Sequence, residues 1–134
     1  MWDAIIAIIL VSVGGGAGAV LRHFASNFGA RVFGHLALGT FVVNVTGCFI
    51  IGLAGGLAVE ADGSLSTEGA VWLLLVVGLL GSYTTVSSFS LQTLTLLREG
   101  KANAAFANIA ASLVICLCAT ITGFALTYSL GAVL

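Results

Sequence analysis

Gly78-Leu79-Leu80-Gly81-Ser82-Tyr83-Thr84-Thr85-Val86-Ser87-Ser88-Phe89-Ser90-Leu91-Gln92 decides the fold of this chain. The stretch lies inside an apolar run, Ala70 to Leu97, that is long enough to cross a bilayer. Its centre nevertheless holds two glycines followed by a dense series of hydroxyls. Hydrocarbon offers a loosened backbone no hydrogen bonds, so such a segment survives at membrane depth only where protein buries it or a watery path runs beside it. A polar, breakable segment near the midplane therefore points to an ion or solute site. The plainer alternative is a tolerated kink, with Ser and Thr bonding back to carbonyls one turn earlier.

Composition agrees with a membrane span. Of 134 residues, 60% are hydrophobic and 7% charged, and proline is absent; the mean hydropathy is +1.21. A soluble domain of this length needs far more surface charge, so the chain reads as one integral membrane domain. A net charge of −1 provides no basic patch and argues against a nucleic-acid partner. Cys48, Cys116 and Cys118 all fall in apolar runs. The Cys-x-Cys pair points to different sides of a helix and does not suit a shared metal; buried free thiols are expected. Asp3 and the absence of Lys or Arg ahead of the first apolar run do not fit a cleaved signal peptide.

Working outward, a spanning helix needs about 20 mostly apolar residues, and four runs qualify, at approximately 2–22, 36–59, 70–97 and 102–131. The first carries Gly14 and Gly18 as a small-xxx-small face for close helix packing. A nucleotide-binding glycine loop would need a preceding strand, and the sequence supplies none. Arg22 closes this run, placed either to snorkel to headgroups or to tie helix ends together. Arg31 follows in an expected polar connection, Ser26 to His35, and neither His23 nor His35 is given a chemical role. In the second run Thr40 and Asn44 share a helix face. Asn44 must find a partner, either in an interhelical hydrogen bond or as a donor lining a pore. The third run places Thr85, Phe89 and Gln92 at helical spacing and ends at a turn, Arg98-Glu99-Gly100-Lys101. The fourth carries Asn108, Ser112, Cys116 and Thr120 at steps of four, a polar stripe that reads as a lined pathway.

No Asp, Glu or Lys lies well inside a span, which argues against a proton-coupled carrier such as the small multidrug exporters. Hydroxyls, amide N–H groups and the positive edges of aromatic rings donate to a small anion without trapping it as a fixed charge would. Carbonyls freed at a helix break hold cations. The residues by themselves reach a narrow polar pore suited to anions.

Three motifs carry a resemblance further. Gly15-Gly16-Ala17-Gly18-Ala19-Val20-Leu21-Arg22 resembles the GxxGAxxR of the Fluc (CrcB) fluoride channels. Gly39-Thr40-Phe41-Val42-Val43-Asn44 is similar to their GTxxxN. Gly81-Ser82-Tyr83-Thr84-Thr85-Val86-Ser87-Ser88-Phe89-Ser90 is similar to their GGLTTFSTFS. The resemblance runs nearly end to end. It implies an all-α membrane fold of four transmembrane helices, the third broken near the midplane, assembled as an antiparallel dimer with two fluoride pores. It implies passive export of fluoride, without catalysis, from the cell membrane. It also implies a structural sodium ion at the dimer centre on the backbone carbonyls of Gly81 and Thr84. The pore roles would fall on Asn44, Phe89, Ser112 and Cys116, with Thr40, Ser88, Val86 and Gln92 beside them and Arg22 structural.

Three positions depart from the family pattern: Val86 replaces a pore phenylalanine, Gln92 a pore-end glutamate, and Cys116 a serine. Charge placement adds a further expectation. Arg22, Arg31, Arg98 and Lys101 lie on the side opposite both termini, so the positive-inside rule predicts one preferred orientation with the termini outside. The partner is then either a second copy in a homodimer or an inverted paralogous subunit in a heterodimer. A non-conducting accessory subunit is the rival that Val86 keeps open.

Overall fold

The computed structural model describes residues 2–34, 36–59 and 69–131. Among them four helices are long and apolar enough to cross a membrane: Asp3–Phe33, Ala37–Leu57, Trp72–Arg98 and Ala102–Leu130. The elements are α1 (Trp2–Phe33), α2 (Leu36–Leu57), a π-helix π1 (Trp72–Leu80), α3 (Gly81–Tyr83), α4 (Val86–Arg98) and α5 (Ala102–Gly131). The acidic connection between α2 and π1 lies outside the described residues, as do His35 and the last three residues.

α1 differs from expectation. Its 32 residues continue through Ser26–Phe33, which the sequence reading assigns to a polar connection. At 1.5 Å per residue the helix is about 48 Å long, well beyond a hydrocarbon core of about 30 Å. Polar residues past Leu21 therefore need not end the helix; they mark where it leaves lipid. Gly34, at φ 76°, follows directly and turns the chain. The Arg98–Lys101 turn is as expected. Gly100 has φ 72°, its N–H reaches Leu97 O at 3.1 Å, and Lys101 N–H reaches Leu96 O at 2.9 Å. This is a Schellman ending that satisfies the last carbonyls of α4.

Close contacts define the topology. A β-carbon on Gly14 would overlap the Leu74 carbonyl, and one on Gly18 the Leu79 carbonyl, so α1 and π1 run parallel with their backbones touching. On the other side of the bundle, Gly52 meets Thr120 and Gly56 meets Phe124 and Thr127, so α2 and α5 also run parallel. Gly39 lies against Ser26 and Ala30, which makes α1 and α2 antiparallel. The four spans thus alternate up and down, with the two inner pairings built on small residues that permit backbone approach. Val43 and Ala105 are each 1% exposed and Leu80 5%. Most large apolar side chains face outward instead, as a bilayer requires.

Candidate ion pathway

The chain between Tyr83 and Val86 leaves the helical region. Thr84 has φ −72° and ψ 153°, and Thr85 has φ −149° and ψ 126°. Two backbone groups of Thr85 are met by one side chain, 41 residues away. Thr85 N–H donates to Asn44 Oδ1 at 2.8 Å, and Asn44 Nδ2 donates to Thr85 O at 2.9 Å. The amide thus pairs with the extended residue as a neighbouring strand would. Asn44 uses one of its two Nδ2 hydrogens in this way; the other is not needed by Thr85.

The Thr85 side chain performs a separate task. Its Oγ1 accepts from Ser88 N–H at 3.3 Å and so caps α4, and it also bonds Ser87 Oγ at 3.1 Å. These two arrangements remove the ordinary helical donors from two carbonyls. Gly81 O would accept from Thr85 N–H in a continuous helix, and Thr84 O from Ser88 N–H; both N–H groups are engaged elsewhere. The back-bonding that the kink alternative anticipates is present too, with Thr84 Oγ1 on Leu80 O at 3.1 Å and Thr93 Oγ1 on Phe89 O at 2.9 Å.

Beside this segment opens a cleft of about 490 Å³. Asn44, Phe89, Ser112, Cys116, Val86, Gly81 and Thr84 all line it, so seven residues singled out in the sequence meet in one place. Cys48, Thr85 and Thr120 line it as well; of these, helical spacing signals Thr85 and Thr120, while the sequence reads Cys48 only as a buried free thiol. Asn108 leaves the stripe: its Nδ2 donates to Thr93 Oγ1 at 2.9 Å and ties α5 to α4. Ser112 makes no hydrogen bond to any described residue. Val86 is 76% exposed, so its side chain projects outward at the cleft edge.

Thr40, Ser88, Gln92 and Arg22 gather instead in a second cavity of about 430 Å³, with His23, Ser26 and Asn27. Gln92 Nε2 donates to Thr40 Oγ1 at 2.6 Å, joining α4 to α2 one turn from Asn44. The contribution of Ser26 and Asn27 follows from the unexpected length of α1, which carries them one turn past Arg22 and His23. His23 Nε2 and Asn27 Nδ2 are 3.1 Å apart. All three cysteines are free thiols. Cys116 faces the cleft while Cys118 is exposed, so Cys-x-Cys does point two ways, and Cys118 is not buried as expected.

Four helices able to cross a membrane, with hydroxyl- and amide-lined cavities between them, define a small multi-pass helical membrane protein. Residues 9–124 match the family described as CrcB-like protein, Camphor Resistance (CrcB). The chain is 48% identical over 130 residues to the fluoride-specific ion channel FluC 2 of Bradyrhizobium diazoefficiens, covering 96% of this chain and 92% of that one. It is 46% identical over 119 residues to FluC 4 of Brucella abortus, covering 88% and 89%. It is 45% identical over 126 residues to FluC 2 of Rhodopseudomonas palustris, covering 93% and 95%. The chain belongs to the CrcB (FluC) family of fluoride-specific ion channels. These relatives are membrane channels and not enzymes.

Proposed function

We propose that this protein is a fluoride-selective channel that lets fluoride leave the cell down its gradient. The observation that carries the reading is the convergence of Asn44, Phe89, Ser112 and Cys116 on one cleft in a chain whose relatives carry that activity. Fluoride is small and strongly hydrated, so a path for it must replace water with donors. Ser112 Oγ–H, the second Nδ2 hydrogen of Asn44 and the ring edge of Phe89 are such donors. In the second cavity, Arg22 raises the local anion concentration, and Thr40, Ser88 and Gln92 offer polar contacts toward the cleft. The third span acts as a broken membrane helix with its interruption at residues 84 and 85. The Gly81 and Thr84 carbonyls, deprived of helical donors, suit a hard cation. They would hold a structural sodium ion, which supplies a fixed positive charge joining two subunits of an antiparallel dimer.

The test is fluoride efflux from liposomes that hold only this purified chain. Fast fluoride release, with chloride retained in matched vesicles, is expected. Absence of fluoride release from well-reconstituted dimers would overturn a self-sufficient channel. A second reading, one half of a heterodimer, is favoured by Val86, whose exposed side chain offers no ring edge where the family pattern has one. Co-reconstitution with a paralogous subunit would then restore release.

A further inference from the structure

Cys48 and Cys116 are not joined by any motif, but the fold brings them together. They approach because α2 and α5 touch one turn farther along. Gly52 follows Cys48 by one turn and Thr120 follows Cys116 by one turn, and a β-carbon on Gly52 would overlap the Thr120 carbonyl. Both cysteines are only partly buried, and both line the same 490 Å³ cleft. We propose that Cys48 and Cys116 form a two-coordinate site for a soft, thiophilic divalent cation, of which mercuric ion is the fitting case.

The donor set selects the metal. Two thiols without a third His, Cys, Asp or Glu nearby among the described residues do not complete a tetrahedral zinc site. A soft ion satisfied by two sulfurs needs no further ligand. Charge selects further. Each thiol gives its proton to water in the cleft as an S–Hg bond forms, so two S–H bonds break, two S–Hg bonds form, two protons leave, and no electron is transferred. The product is neutral and carries no net charge into a low-dielectric setting. A monovalent ion such as silver or copper(I) on the same two thiolates would leave a net negative charge, which burial disfavours.

The experiment uses full-length protein with Cys118→Ser, which removes the outward-facing thiol, titrated with mercuric chloride alone. Intact-mass measurement is expected to show one mercury per chain with two hydrogens lost and no chloride retained. Cys48 and Cys116 should then both resist alkylation. In the C48S/C118S variant the adduct should retain chloride, lose one hydrogen, and be stripped by a competing monothiol at a concentration at least 100-fold lower. Two chloromercury groups on the C118S chain, or equal resistance to stripping in both variants, would overturn the site. The mass readout stands whether or not the chain conducts fluoride. If it does conduct, mercury should stop efflux, and a dithiol should restore it.

Discussion

The third span is held by two seams made of opposite materials. Against α1, π1 makes backbone contact: Gly14 and Gly18 let two carbonyls in, and no side-chain hydrogen bond joins α1 to π1 among the described residues. Against α2, the same span is held by polar side chains: Thr46 Oγ1 lies 3.1 Å from Tyr83 Oη, Asn44 pairs with Thr85, and Gln92 bonds Thr40. Lipid tails are as apolar as leucine, so shape and dispersion alone hold the first seam. The second fixes which residues stand opposite one another, because a slip of one position would strand polar groups in hydrocarbon. The glycine seam therefore sets distance, and the polar seam sets register.

The sharpest way to break the comparison is Gly18→Leu. The incoming side chain overlaps the backbone carbonyl of Leu79, and the folded protein should be lost altogether, as read by size-exclusion chromatography in detergent. Asn44→Ala attacks the other seam. It orphans an N–H and a C=O, each at a cost of about 1–3 kcal/mol, and fluoride efflux should fall at least tenfold while some folded protein survives. Glycine damage should thus abolish the fold, whereas amide damage should abolish function first.

Smaller effects refine the picture. Gln92→Leu removes the hydrogen bond to Thr40 between spans, worth about 1 kcal/mol; a modest drop in melting temperature with slower efflux is expected. Val86→Phe should change stability least, within about 0.5 kcal/mol, because the side chain is exposed. Its effect should appear in efflux alone, which rises as a ring edge is restored. An equal rate in wild type and Val86→Phe would show that the pathway does not use this position.

What the sequence could reveal depended on whether a signal was local. Four apolar runs identify four spans, and the Gly14/Gly18 face announces a close contact, because both rest on spacing within one helix. The far end of α1 is misjudged because polar residues that leave the membrane on a continuing helix look like a loop. The π-helical turn pattern of Trp72–Leu80 has no signature, since a uniformly apolar segment carries no periodicity. For the site, the stripe through Ser112, Cys116 and Thr120 is legible by its steps of four. The partner of Asn44 is not, because it is a backbone unit 41 residues distant. Nor is the meeting of Cys48 with Cys116, which exists only through the crossing of α2 and α5.

The Asn44–Thr85 pairing also constrains how this segment can drift over generations. One participant contributes a side chain, the other only its peptide groups. Position 85 can therefore change among residues that cap a helix and accept an extended backbone, with serine the least disruptive, and the pairing persists. Position 44 has no such latitude, since a shorter amide-free side chain loses both bonds and a longer one displaces them. The two sites are in contact yet should not co-vary: position 44 should stay asparagine while position 85 changes among helix-capping residues, and a method that finds contacts from paired substitutions would pass over the bond on which the register of the third span depends.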